Sequence, residues 1–503
     1  MNQPDLVIGV DCSTTASKAV VWDKAGKAVA IARHGYDLQH VRLGWVEQNA
    51  PDWWRATSQA IADVVREVGP ERIAAISVTH QRETFVCLDD LGNPVRPAIT
   101  WMDVRATEQV AMHGNATVHR LTGKPPNPTP AWYKLIWLKT HEPQSLARTS
   151  KIVDVGGYLL QKLTGEWVTS WASADPLGLV DLTRFAYDCS LLATASLSEH
   201  QLPRLVAPGA KAGGLSVHVA EALGLPAGLA VIASAGDGQA AGLGCNVTRP
   251  RRAYLNIGTG TVSGVYGVDY NHNTAYRTMG GPIPGTYIFE TFIGGGTQNI
   301  VWFVENFATA EKAAAHGQSV EQILEAAAAT IAPGAERLLC LPYWTGAMTP
   351  YWDGHARGAF VGLSGLHGKA HMYRAILEGI ALEQHFLTTG VEDATAIPID
   401  EILLLGGGSR SPVWCQIIAD VMGRKVKLVR EQESTALGAG IHAAAAVGLY
   451  PDLRSAADAM TGIEREFSPR AEIHAAYAPI YAAYCSLYPG LKQSFALLGK
   501  SAS

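Results

Sequence analysis

The amino-acid sequence predicts an α/β fold of two similar domains, and three observations predict it. A strand–turn–strand pattern occurs twice. The apolar run 6–10 passes through Asp11-Cys12-Ser13-Thr14-Thr15 into a second run at 19–22, and the run 253–257 passes through Gly258-Thr259-Gly260-Thr261 into 262–266. Strand-like and helix-like stretches then alternate, as α/β layers require. Finally, the chain has 503 residues, 48% hydrophobic and 17% charged. At roughly 150 residues per domain that is room for two to four cores, in a chain too apolar for disorder.

Taken in order, residues 6–10 and 19–22 read as strands, and Asp23-Lys24-Ala25-Gly26 turns the chain into a third at 28–30. Residues 49–68 carry Trp54, Ile61, Val64 and Val65 on one helical face, and 73–78 is the next strand. The segment 121–130 holds four prolines and reads as an irregular loop. The apolar run 229–232 leads into Ala235-Gly236-Asp237-Gly238-Gln239-Ala240, a small-residue helix start. In the second half, 402–405 and 425–429 read as strands, and 413–421 and 434–447 as helices. The two hairpins imply halves that face each other, divided near 246–252. Residues 1–248 form the first domain and 249–503 the second.

Composition narrows the partners. Forty Lys and Arg against 45 Asp and Glu give a formal charge of −5. Without a basic stripe, nucleic acid is not the expected partner. No stretch approaches the roughly 18 apolar residues of a membrane span, and Met1-Asn2-Gln3-Pro4-Asp5 lacks the order of a signal peptide. The seven cysteines are scattered and form no CxxC pair, so they read as idle thiols in a cytoplasmic protein.

Glycine is over-represented, 51 of 503 residues against a usual ~7%, and it clusters where phosphate chemistry needs it. Asp11, at a strand end before Ser13, Thr14 and Thr15, suits a hydrated Mg²⁺, with Lys18 adding positive charge. Asp11 and Thr14 closing a turn would look the same. Gly258-Thr259-Gly260-Thr261, Gly294-Gly295-Gly296-Thr297 and Gly406-Gly407-Gly408-Ser409 each mark a strand end or a helix start. There, backbone amides can face an anion. No Walker A loop occurs, and turn-making alone explains any single cluster. Asp237, flanked by Gly236 and Gly238, is the base candidate, its other reading being a helix cap. Gln81-Arg82-Glu83 follows the strand 73–78 and offers donor and acceptor together to neighbouring hydroxyls, unless Arg82 and Glu83 form a surface ion pair. Trp101-Met102-Asp103 offers an aromatic wall and a further acceptor. His80 reads as structural.

These motifs line up along nearly the whole chain with one family. The sequence resembles the FGGY carbohydrate kinases of the actin-like ATPase superfamily. The most specific match is Gly358-Ala359-Phe360-Val361-Gly362-Leu363 followed, seven residues on, by His371-Met372-Tyr373-Arg374-Ala375-Ile376-Leu377-Glu378. The run Glu433-Ser434-Thr435-Ala436-Leu437-Gly438-Ala439 is similar to the family's closing motif. Around 131–137, Lys134 and Trp137 fit, whereas Ala131 stands where Pro, Ser or Thr is usual. The resemblance implies two actin-like (ribonuclease H-like) domains with the active site in the cleft between them, and a phosphotransferase acting on an alcohol group with ATP and Mg²⁺. It implies Asp237 as the base that takes the proton of a terminal sugar hydroxyl. Asp11 and Asp237 would hold the Mg²⁺ through water. Thr14, Thr15, Lys18, Gly258 and Thr259 would meet phosphates, and Gly295, Gly296, Asn299, Gly407, Gly408 and Ser411 the rest of the nucleotide. Gln81, Arg82, Glu83, Trp101, Asp103, Asp237 and Gln239 would meet the sugar.

For the acceptor, the resemblance points two ways. Gln81-Arg82-Glu83-Thr84 is similar to glycerol kinases, whereas Asp103 and the motif 406–412 are closer to kinases of a ketopentose. A ketopentose, D-xylulose foremost, is the expectation, with glycerol or a short polyol second. An actin-like ATPase without a sugar acceptor is the alternative from another class. For assembly, a homodimer is what the resemblance implies.

Overall fold

The computed structural model describes residues 4–500. The first domain is built on a six-stranded sheet. Its strands are β1 (Leu6–Cys12), β2 (Ala16–Trp22), β3 (Ala28–Gly35), β4 (Ile73–His80), β5 (Lys211–Gly214) and β6 (Ala230–Gly236), in the order β5-β6-β4-β1-β2-β3. β1, β2 and β3 form an antiparallel meander, and β4 and β6 then add in parallel, with Gly9 opposite Ser77 and Ile76 opposite Val231. β1 is central and apolar on both faces, as a strand covered on both sides must be.

Helix α1 (Ala50–Val68) covers one face of this sheet. Pro51 in its first turn is tolerated because that amide has no helical partner. Trp53, rather than the expected Trp54, joins Ile61, Val64 and Val65 in the core, while Trp54 is half-buried. A smaller five-stranded sheet, whose strands include Phe85–Leu88 and Lys151–Asp154, flanks this domain and carries Trp101 and Asp103 on the loop after Ala98–Ile99.

Helix α2 (Asp237–Gly244) leaves β6 directly. The second sheet then repeats the first, with β7 (Arg252–Ile257), β8 (Thr261–Gly267), β9 (Arg277–Gly280), β10 (Tyr287–Ile293), β11 (Glu401–Leu405), β12 (Lys425–Val429) and β13 (Ile463–Phe467) in the order β9-β10-β8-β7-β11-β12-β13. Three antiparallel strands, β10-β8-β7, are again followed by two parallel ones, β11 and β12. Helices α3 (Thr297–Phe307), α4 (Lys369–Thr395) and α5 (Pro412–Met422) belong to this half.

Helix α6 (Ser434–Ala446) comes from the second half yet packs on the first sheet. The Trp22 Nε1 donates to Ala436 O at 3.2 Å. A Cβ on Gly9 would strike Ala436 O and Gly440 N, and one on Gly438 would strike Ala240 O of α2. Only glycine lets backbones approach this closely. Leu437 and Ile441 accordingly share a core with Val7, Val20, Trp22 and Ile232.

The last helix, α7 (Ala471–Lys500), is pinned on α4. Tyr484 Oη donates to the buried Glu383 carboxylate at 2.6 Å, and Tyr343 Oη donates at 3.0 Å. Burial lifts the Glu383 pKa to about 7 against the pull of both hydroxyls. No described helix is long and apolar enough to cross a membrane. All seven cysteines are free, and five are buried.

Candidate active site between the two sheets

The first hairpin places Asp11 opposite Lys18 across β1 and β2. Asp11 Oδ1 is buried with no partner among the described residues. Burial, reinforced by the Asp237 carboxylate and opposed by Lys18, raises the Asp11 pKa to about 7. A carboxylate oxygen left bare beside a second carboxylate is what a hard, oxygen-seeking divalent cation satisfies, so these two residues fit Mg²⁺. Thr14 Oγ1 accepts from Trp101 Nε1 at 3.1 Å, and Thr15 is exposed. Lys18 Nζ lies 2.5 Å from Glu433 Oε2, just before α6, so an ion pair ties this hairpin to the second half.

Gly258 and the exposed Thr259 form the second hairpin. It is stapled to the start of α3, where Gly258 O accepts from Thr297 N at 2.8 Å and from Thr297 Oγ1 at 2.9 Å. Three further residues expected at the nucleotide belong to this staple. Gly295 and Gly296 are buried, and a Cβ on Gly296 would strike Gly258 O. Asn299, fully buried, accepts from Gly296 N through Oδ1 at 3.2 Å. These residues shape the loop from behind.

Gly407, Gly408 and Ser411, by contrast, line an open cavity of about 460 Å³ with Thr297, Glu325 and Tyr373. Gly406 turns the chain out of β11 at φ 87°, a left-handed angle natural to glycine. Ser411 Oγ accepts from Trp414 N at 3.1 Å and so caps α5. A cavity of this size beside the phosphate-side hairpins fits a nucleoside.

A second cavity, about 130 Å³, opens between the two sheets. Thr14, Arg82, Glu83, Trp101 and Asp237 line it from the first half, and Val262, Arg277 and Phe292 from the second. Arg82 and Glu83 are 7% and 5% exposed, and neither pairs with the other as a surface pair would. Arg82 Nη1 reaches Glu290 Oε2 at 2.7 Å, and its Nε stands 2.8 Å from Asp237 Oδ1. Arg277 Nη1 binds Glu83 Oε1 at 2.8 Å, and its Nη2 binds Glu290 Oε1 at 2.6 Å. Burial alone would raise the Glu290 pKa. The two guanidiniums outweigh it and hold Glu290 at about 2. Glu83 has a φ of 58°, left-handed backbone in a residue that seldom adopts it. Strain of that kind persists only where surroundings enforce it, and Glu83 is buried with Arg277 on its carboxylate.

Three residues expected on the sugar side stand outside the cavity lining. Asp103 is fully buried and occupied: Oδ1 accepts from Arg105 N and Nε, and Oδ2 from Val46 N and Arg105 Nη2. It braces a loop and does not reach the cavity. Gln81 is spent on Gln48 and Thr84. Gln239, fully buried, donates to Ala172 O at 2.8 Å. His80 is structural, its Nε2 3.4 Å from Asp154 Oδ1. Sequence reasoning missed Arg277, Glu290, Val262 and Phe292. The available signal was Glu290 itself, a lone charge within the apolar strand Tyr287–Ile293, because a buried charge demands a partner.

Comparison with known proteins agrees with this geometry. Over 97% of each chain, the protein is 28% identical to a xylulose kinase of Staphylococcus epidermidis. It superposes on the ligand-bound xylulose kinase from Lactobacillus acidophilus with a TM-score of 0.92 and 27% identity, covering 98% of this chain and 99% of that one. The gluconate kinase from Lactobacillus acidophilus follows at 0.91 and 26%, with the same coverage. Residues 6–244 match the N-terminal domain of the FGGY family of carbohydrate kinases and residues 253–447 the C-terminal domain. Matched over both of its repeated halves, with Asp11 and Asp237 facing each other between them, the chain belongs to the FGGY family of carbohydrate kinases.

Proposed function

We propose that the protein transfers the γ-phosphoryl group of ATP to a terminal hydroxyl of a neutral ketopentose, D-xylulose foremost. The observation that carries this reading is Asp237 on the wall of a small cavity lined by Arg82, Glu83 and Arg277. Members of the family use ATP with Mg²⁺. Asp237 accepts the proton as the sugar oxygen attacks phosphorus, and Arg82 orients that carboxylate. Arg82 and Glu83 hold neighbouring hydroxyls. Asp11 offers its bare oxygen to the cation, which neutralises phosphate charge when bound. Thr14, Thr15 and Lys18 meet the phosphates from one side, Gly258 and Thr259 from the other, and Gly407, Gly408 and Ser411 hold the adenosine. Residues 1–248 thus form the sugar side and 249–503 the nucleotide side of a cytoplasmic enzyme.

A triol such as glycerol is the second reading. Arg82 and Glu83 on the cavity wall favour it, a donor and an acceptor side by side for adjacent hydroxyls. The deciding experiment is ADP release from Mg·ATP with D-xylulose, L-xylulose, D-ribulose, L-ribulose, glycerol, erythritol and gluconate. Strong stimulation by one ketopentose is expected. Stimulation by glycerol alone replaces the acceptor, and one rate regardless of sugar returns the chain to the ATPases without an acceptor.

A further inference from the structure

Five charged groups surround or brace the 130 Å³ cavity: the guanidiniums of Arg82 and Arg277, and the carboxylates of Glu83, Glu290 and Asp237. The carboxylates exceed the guanidiniums by one. Arg82, Glu83, Arg277 and Glu290 are all less than a tenth exposed, so water does little to screen them. The arginine charges are also already compensated. Arg82 donates Nη1 to Glu290 and pairs with Asp237, whose Oδ1 lies 2.8 Å from its Nε. Arg277 gives Nη1 to Glu83, and Nε and Nη2 to Glu290. An arginine whose charge is already compensated by carboxylates attracts a further anion less strongly.

Glu290 is the hub of this set. It is fully buried on β10, takes both arginines, and accepts from Tyr254 Oη at 3.3 Å. It does not line the cavity, so it acts on a ligand only through Arg82 and Arg277. We propose that Glu290, with Arg277, is a specificity-determining positioning pair. By compensating the Arg82 charge and leaving the site one carboxylate in excess, it admits neutral polyhydroxylated acceptors and rejects aldonates, which are the same carbon chains ending in a carboxylate. The inference rests on the neutral-sugar reading above and narrows it, because one structural neighbour is a gluconate kinase.

The test is equilibrium binding by calorimetry, which needs no turnover. Xylitol and D-xylonate share a five-carbon chain and differ at one end group. The wild type is expected to bind xylitol at least tenfold more tightly than D-xylonate. Glu290→Gln keeps the shape of the side chain and deletes the charge, and is expected to cut that preference at least tenfold. Glu83→Gln removes another of the three carboxylates and should move the ratio the same way, so one misfolded variant does not close the test. Because the readout is a ratio, a smaller folded fraction does not change it. D-xylonate bound as tightly as xylitol by the wild type, or a ratio moved less than threefold by a folded variant, overturns the proposal. The phosphorylation panel is a separate measurement. A wild type that discriminates in binding but releases no extra ADP with any sugar removes the kinase reading and leaves this one standing.

Discussion

Arg82 Nε stands 2.8 Å from Asp237 Oδ1, joining the end of one strand of the first sheet to the helix that leaves another. Gly238 N donates to the same oxygen at 2.7 Å. Both contacts fall on Oδ1, and no described group takes Oδ2. The carboxylate is therefore held in one orientation with one oxygen uncommitted, the arrangement in which a positioned base can receive a hydroxyl proton.

Replacing Asp237 by Asn keeps the hydrogen-bonding shape and deletes the base. Turnover with the preferred sugar should fall ~10²–10⁴-fold, the usual share of base catalysis, while ATP affinity stays within a fewfold of wild type. Steady-state rates with nucleotide titration check both halves. A variant keeping more than a tenth of wild-type turnover takes Asp237 out of this role.

Asp103→Asn should act on stability and leave substrate choice alone. The change leaves Arg105 with Glu47 and the rings of Trp45 and Trp137 but removes the charge bound to its Nε and Nη2. Losing one side of a buried pair costs roughly 3 kcal/mol. Thermal unfolding should shift down by several degrees, with the ranking of sugars unchanged. A changed ranking with unchanged unfolding would put Asp103 back at the substrate.

The contact between α2 and α6 predicts an intolerant glycine. Gly438→Ala would set a methyl group against the backbone oxygen of Ala240, where no side chain can move aside. Overpacking of this kind costs roughly 1–3 kcal/mol or more. Lower soluble yield and earlier unfolding are expected, whereas Gly365→Ala, with open space around it, should be silent. Equal unfolding temperatures for the two variants would contradict the packing.

How much of this was legible beforehand follows from where the partners lie in the chain. The hairpins around Asp11 and Gly258 were readable because apolar runs and small turn residues are local signals. Asp237 was readable because glycine on both sides of a carboxylate is unusual. The Arg82–Glu290 pair was not, since 208 residues separate its members and only the facing of two sheets joins them. The surroundings of Asp103 were hidden for a related reason. An aspartate after Trp-Met looks available until Arg105 and the Val46 amide are seen to close on it.

Glu383 gives a pH prediction with a definite sign. Its pKa is about 7 in the fold against 4.5 when unconstrained, so between those values the folded chain keeps a proton that the unfolded chain releases. Its contribution is complete below about pH 4.5 and lost as pH rises through about 7, on the order of 3 kcal/mol in all. Glu383→Gln cannot lose that proton. The variant's melting temperature minus that of the wild type should therefore climb from pH 5 to pH 8. A flat or falling difference would refute the assignment.

The seating of α6 on the first sheet also bears on how the chain emerges from a ribosome. Leu437 and Ile441 complete a core that includes Val7, Val20 and Trp22, which precede them in the chain by more than 400 residues. Roughly 200 residues separate the end of α2 from the end of α6, which at about 5–20 residues per second is some ten to forty seconds of synthesis. Throughout that interval the nascent first sheet carries an uncovered apolar strip along β1 and β2, a surface for a chaperone to shield. The amino-terminal half is accordingly no free-standing unit, and its completion awaits one of the last helices to be translated.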